Sequence, residues 1–148
     1  MSVATKNPET KLTITWPLLP EDFQLPDDPV EDESQPLLAA ALRQPLTEFP
    51  ELIQDALIVS NFALCAGISF PEAATDEQRT ICKAPDWMYV KPVNPQNVSQ
   101  IRRSYTPHTE GTIPQIVMEF LSETYGEEYS VEFTSRVGKW FFYEQVIK

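Results

Sequence analysis

Apolar and polar positions along the chain predict an α/β domain behind an irregular N-terminal segment. The run from Leu37 to Leu42 favours a helix, and the segment from Glu51 to Ala66 spaces its apolar residues with a helical period. Three later segments predict strands, at residues 68–70, 80–83 and 87–90, with a polar turn at 75–77 before the second. The stretch from Val93 to Thr112 has few apolar residues and predicts a loop, the kind of segment that often carries function.

The C-terminal part contains a segment, Ile113 to Leu121, in which apolar residues surround a single acid, Glu119; they are Ile116, Val117, Met118, Phe120 and Leu121. A run without alternation is typical of a strand covered on both faces, as in the centre of an α/β sheet. The final segment, Gly138 to Ile147, places its apolar residues on one helical face. We therefore expect a central strand followed by a closing helix.

Residues 1–36 predict an extended arm rather than a second domain. Six prolines forbid a long regular element, and acidic residues are frequent. The short run from Thr13 to Trp16 favours either an edge strand or a contact with a partner. The domain itself is expected to span residues 37–148.

Composition indicates a single soluble domain in the cytoplasm. The chain has 148 residues with a hydrophobic fraction of 42%, and no apolar run approaches the roughly 20 residues that a membrane-spanning helix needs. The N-terminus lacks the basic and apolar pattern of an export signal. Two distant cysteines, Cys65 and Cys82, do not suggest a disulfide framework, so we expect them to be free and buried.

A net charge of −11 argues against a protein that binds nucleic acid over its whole surface. Seven of the 22 acidic residues lie between Glu21 and Glu33, so the remainder of the chain is much closer to neutral. A local basic stripe is therefore compatible with the composition. Arg102 and Arg103 are its candidates for substrate phosphate contacts. The alternative is an ordinary solvated surface.

Two carboxylates are candidates for chemistry. Glu119 stands in an apolar run, where an ionised group requires a compensating partner unless it faces water at the strand end. Asp86 follows Pro85 at the start of an apolar strand, although Pro-Asp is also a common turn. Carboxylates on neighbouring strands can hold Mg²⁺ or Mn²⁺, and such an ion activates water against a phosphodiester.

Lys139 and Tyr143 are predicted to join these acids from the last helix. The two residues lie four positions apart and so share one helical face. Lys139 could stabilise an attacking water or a scissile phosphate. The alternative is an exposed helix lysine.

The order Pro85-Asp86, then Glu119 in Ile-Val-Met-Glu-Phe-Leu-Ser, then Lys139 with Tyr143 resembles the Uma-type family of restriction endonucleases, within the PD-(D/E)xK nuclease superfamily. The resemblance covers about residues 37–148. It implies a restriction-endonuclease-like mixed central sheet flanked by helices, with Asp86 and Glu119 as metal ligands and with Lys139 as the basic residue that has moved onto the helix and stabilises charge electrostatically. Ser122 and Tyr143 match the motif more weakly.

The resemblance implies a Mg²⁺- or Mn²⁺-dependent endonuclease that hydrolyses DNA through metal-activated water. The chain stops at Lys148, where relatives continue into further strands, so the C-terminal strands are expected to be absent. A sheet with an open edge favours pairing with a second copy, and we expect a homodimer. The alternative function is a catalytically degenerate nuclease fold that serves as a binding or assembly module.

Overall fold

The computed structural model describes residues 12–20, 23, 34–69, 78–96, 100–120 and 137–148. Within these ranges the chain forms seven strands and three α-helices. In chain order they are β1 (Thr13–Thr15), α1 (Gln35–Arg43), α2 (Pro50–Ile53), β2 (Leu57–Val59), β3 (Ala63–Ser69), β4 (Gln78–Lys83), β5 (Trp87–Val90), β6 (Ser104–Tyr105), β7 (Ile116–Met118) and α3 (Lys139–Phe141). A 3-10 helix, Gln44–Glu48, follows α1, and a π-helical turn, Phe142–Val146, follows α3.

Strand β3 is the centre of the first sheet. One edge pairs antiparallel with β4, and the other pairs antiparallel with β1 and, further along, parallel with β6. Gly67 allows the neighbouring strands to approach closely, because a Cβ atom there would overlap Thr15 Oγ1 and Gln78 Nε2. The predicted edge strand near Thr13 is therefore confirmed, and it belongs to this chain's own sheet.

Strand β5 is the centre of the second sheet, with β2 and β7 on its two sides, both antiparallel. The register between β5 and β7 pairs Trp87 with Met118. Both strands reach the same end of the sheet at this pair, so the residues just beyond it lie side by side.

The main core combines side chains from both sheets with the C-terminal segment. Its large side chains without exposed surface include Leu64, Ile68, Met88, Val90 and Phe142. Burial of each stabilises the fold by roughly 1.5–3 kcal/mol. This packing fixes the C-terminal segment against the sheets and so determines where Lys139 and Tyr143 can reach.

The predicted α/β class is confirmed, whereas the restriction-endonuclease-like arrangement and the Pro-rich arm remain predictions. The helix within 37–42 is confirmed as part of α1, and the strands at 80–83 and 87–90 are confirmed as β4 and β5. The closing helical segment is also confirmed. No helix in the described ranges combines the length and apolar character needed to cross a bilayer.

The predicted helix from Glu51 to Ala66 is wrong. Helix α2 ends at Ile53, and the chain then forms β2 and most of β3. Asp55 and Asn61 have left-handed backbones, with φ of 55° and 46°, so they reverse the chain where a helix would continue. Pairing with β5 and β4 outweighs the local helical spacing.

The prediction of a central strand around Glu119 is also wrong. In the described ranges β7 contains only Ile116–Met118 and pairs with β5 alone, and Ile116 is 42% exposed. Glu119 comes directly after the strand. Within the part of the chain that the structure describes, this apolar run therefore belongs to an edge strand, partly covered by the C-terminal segment.

The expectation of two free cysteines is wrong. Cys65 and Cys82 lie opposite each other on β3 and β4 and form a disulfide. The two cysteines are 17 residues apart in sequence, and only the antiparallel register of β3 and β4 brings them together. The sequence alone therefore did not predict the pairing. Leu19 and Phe23 from the N-terminal segment pack against the bonded pair.

Candidate functional site

Asp86 and Glu119 lie opposite each other at one end of the second sheet. Asp86 immediately precedes β5 and Glu119 immediately follows β7, one position beyond the last ladder pair, Trp87 with Met118. Residues opposite each other on antiparallel strands point to the same face of the sheet. Asp86 Oδ2 accepts a hydrogen bond of 2.5 Å from the backbone N–H of Phe120, which ties the two strand ends together.

The approach to Asp86 is fixed by its neighbours. Ala84 and Pro85 are buried, and Trp87 begins β5 with 3% exposure. The backbone N–H of Asn61 donates to the Asp86 carbonyl at 3.3 Å. Since proline restricts the backbone on one side and the ladder begins on the other, the Asp86 side chain is held at the strand end.

Lys139 and Tyr143 both bind Glu119 from the C-terminal segment. Lys139 Nζ donates to Glu119 Oε2 at 3.1 Å and to the Ala84 carbonyl at 2.9 Å. Tyr143 donates its hydroxyl hydrogen to Glu119 Oε1 at 2.7 Å. Four positions separate the two donors along one helical segment, so they reach the same carboxylate.

The pair formed by Lys139 and Glu119 is buried. The lysine side chain is 8% exposed and the glutamate side chain 0%. A buried charge is costly unless it is paired and hydrogen-bonded, and here both Glu119 oxygens have a donor. The structure therefore provides the compensating partner that the apolar surroundings of Glu119 require.

Burial raises the pKa of Glu119 to about 7. The hydrogen bond from Tyr143 and the positive charge of Lys139 both act to lower this pKa, while the negative charge of Asp86 raises it. Burial and the neighbouring acid outweigh the two donors. Glu119 thus gains or loses its proton near neutral pH, where an ordinary glutamate is fully ionised.

The residues of this site fit a hard divalent cation in donor type and charge. Two ionised carboxylates against one lysine leave a net negative charge, and each bonded Glu119 oxygen retains a second lone pair. No group of three or more His, Cys, Asp or Glu side chains is placed to hold a metal anywhere in the described ranges. Mg²⁺ commonly takes only one or two carboxylates from a protein, with water and substrate phosphate as the other ligands.

Arg102 and Arg103 lie apart from Asp86, Glu119, Lys139 and Tyr143. They line a separate cavity beside the N-terminal segment, where Arg102 pairs with Glu110 at 2.8 Å. Ser122 lies outside the described residues, as do the predicted turn at 75–77 and most of the acidic block. Of the seven predicted site residues, the structure thus brings four together: Asp86, Glu119, Lys139 and Tyr143.

Sequence reasoning missed the backbone partners of the site. The Ala84 carbonyl holds Lys139, and the Phe120 N–H holds Asp86. Backbone groups carry no residue-specific signal, so a sequence cannot reveal them. The ring of Trp140, which also adjoins the site, meets the Tyr143 ring edge-on at 6.3 Å between centroids.

Comparison of the chain with family models, with curated proteins and with solved structures found no match.

Proposed function

We propose that this chain is a Mg²⁺- or Mn²⁺-dependent endonuclease that hydrolyses phosphodiester bonds in DNA. The observation that carries the proposal is the placement of Asp86 opposite Glu119 at the end of β5 and β7, with Lys139 bonded to Glu119. Paired acids beside one buried lysine match the needs of phosphoryl chemistry, in which charge develops on oxygen and must be stabilised.

Asp86 and Glu119 would hold the ion. When bound, the ion would polarise a phosphoryl oxygen and lower the pKa of a coordinated water. Tyr143 orients Glu119 through Oε1, and Lys139 favours the ionised carboxylate that a metal ligand must be. The Lys139 ammonium would also attract the phosphate of a bound substrate.

The second candidate is a binding or assembly module that has lost catalysis. The Glu119 side chain is fully covered, and protein donors bond both of its oxygens. A buried carboxylate satisfied in this way is typical of a structural group. In that function Glu119 and Lys139 would fasten the C-terminal segment to the sheet.

Metal titration separates the two candidates. Isothermal calorimetry with Mn²⁺ should show binding to the wild type that Asp86→Asn and Glu119→Gln each abolish, and Mg²⁺-dependent cleavage of plasmid DNA should disappear with it. Asp55→Asn is the matched control, because Asp55 is exposed and asparagine tolerates its left-handed backbone. A folded wild type that neither binds metal nor cleaves DNA would favour the module.

We also propose that the protein acts as a homodimer. In the described ranges β7 pairs only with β5, and its Ile116 is 42% exposed, so the second sheet presents an apolar edge. Sedimentation should give twice the chain mass for the wild type and the chain mass for Ile116→Lys. A monomeric wild type at micromolar concentration would contradict the dimer.

A further inference from the structure

A cavity of about 580 Å³ lies between the N-terminal segment and the loop before β6. Its volume is within the range of small-molecule sites. Leu18, Leu19 and Phe23 contribute from one side, and Ile101, Arg102 and Glu110 are among those that contribute from the other. None of its lining residues belongs to the group around Asp86 and Glu119.

The mouth of this cavity exposes apolar surface. Leu18 is 73% exposed and Ile101 is 91% exposed, and both line the same opening. Leu19 and Phe23 continue the apolar wall inward, where they pack over the disulfide. Apolar side chains gathered at a cavity commonly mark a ligand site, because a bound apolar group would remove them from water.

Arg102 supplies a fixed positive group in the wall. Its side chain is 10% exposed, with Nη1 bonded to Glu110 Oε1 at 2.8 Å and Nη2 bonded to the Asn94 carbonyl at 3.1 Å. Its carbon Cζ also lies 5.7 Å from the centroid of the Tyr105 ring. A guanidinium has five N–H donors, and in the described ranges those two bonds are its hydrogen bonds to protein.

Arg102 lines this cavity with a guanidinium, although the chain as a whole carries a net charge of −11. A planar guanidinium held by two bonds, with donors to spare, is suited to a carboxylate or another oxyanion. The apolar wall is suited to the body of the same ligand.

We propose that this cavity binds a small organic anion with an apolar body. The acid group would contact Arg102, and the apolar body would lie along Leu18, Leu19 and Phe23. This site is independent of the proposed nuclease function, since it shares no residue with Asp86, Glu119, Lys139 or Tyr143.

Calorimetric titration of the full chain with octanoate tests the proposal. One octanoate should bind per chain, while 1-octanol and inorganic phosphate should each bind at least about tenfold more weakly, because each lacks one half of the ligand. Octanol binding as tightly as octanoate would overturn the anion site. Phosphate binding as tightly would overturn the role of the apolar wall.

Variants locate the site. The double substitution Arg102→Gln with Glu110→Gln removes both members of the ion pair, so that neither charge is left buried without its partner. It should lower the affinity for octanoate about tenfold or more. Ile101→Ser and Leu18→Ser change exposed positions, so they fold even if the double variant does not, and should also weaken octanoate binding. Arg79→Gln is the control, because it makes the same charge change at an exposed residue outside the cavity. Wild-type affinity in Ile101→Ser and Leu18→Ser, or a loss in Arg79→Gln, would overturn the proposal.

Discussion

Lys139 Nζ lies 3.1 Å from Glu119 Oε2 across 20 positions of sequence, and neither side chain exposes more than 8% of its surface. The pair joins the C-terminal helical segment to the end of β7. Asp86 lies on the opposite strand end and adds a second negative charge. This group is therefore not neutral when every member is ionised, and both its stability and its affinity for cations should depend on pH.

Stability should fall as pH rises through the titration of Glu119. Burial raises the pKa of this carboxyl from 4.5 to about 7, so between these values the folded chain holds a proton that the unfolded chain releases. The contribution is complete below the unfolded value and lost as pH rises through the folded one, at up to about 1.4 kcal/mol per pH unit. Urea unfolding of the wild type and Glu119→Gln at pH 5 and 8.5 measures it. The wild type should lose more stability than the variant over this range, and equal losses would contradict the shifted pKa.

The buried pair should show coupling in a double-mutant cycle at pH 8.5, where Glu119 is ionised. Lys139→Met leaves a buried carboxylate without its cation and should destabilise the fold by about 1–2 kcal/mol, a cost that protonation of Glu119 limits. Lys139→Met combined with Glu119→Gln should cost less than the two single changes together, because neither partner is left charged alone. Lys148→Met, at an exposed lysine, is the control. Additive effects in urea unfolding would show that the pair contributes nothing as a unit.

Sequence patterns predicted the structure correctly where residues close together in the sequence determine it. Spacing over a few residues predicts the helix at Leu37 and the strands that begin near Thr80 and Trp87. It also predicts the shared face of Lys139 and Tyr143. The requirement for a partner near Glu119 followed from the cost of burying a charge in an apolar run.

Sequence reasoning failed where distant pairing decides the structure. The segment after Ile53 has helical spacing, yet its residues pair with strands from later in the chain. The disulfide between Cys65 and Cys82 arises from the same register, which cannot be read from two isolated cysteines. The pairing of Arg102 with Glu110 was not predicted, because Glu110 had no signal of its own, whereas the contact of Arg102 with substrate phosphate stays a prediction.

The disulfide should contribute measurably to stability. A cross-link between residues 17 positions apart restricts the unfolded chain, and a loop of this size is worth about 3 kcal/mol in the chain-entropy treatment. Dithiothreitol should therefore lower the melting temperature of the wild type and leave the double variant Cys65→Ser with Cys82→Ser unchanged. Two thiols titrating in the native protein prepared without reductant would contradict the bond.

Substitution of Lys139 distinguishes a catalytic role from a structural one. If its ammonium stabilises a phosphate during cleavage, Lys139→Met should lower the rate by about 10²- to 10³-fold with saturating metal, as for the loss of one electrostatic stabiliser. Lys139 lowers the pKa of Glu119, so the variant should also bind Mn²⁺ more weakly at pH 7. Its affinity for Mn²⁺ should recover at pH 8.5, because the carboxyl is ionised there even in the absence of the Lys139 charge. Calorimetry at both pH values, with cleavage measured at pH 8.5 on protein shown to be folded, separates the two effects. If the variant cleaves at the wild-type rate at pH 8.5, the role of Lys139 is limited to keeping Glu119 ionised. If the rate stays low once metal is bound, its ammonium acts at the reacting phosphate.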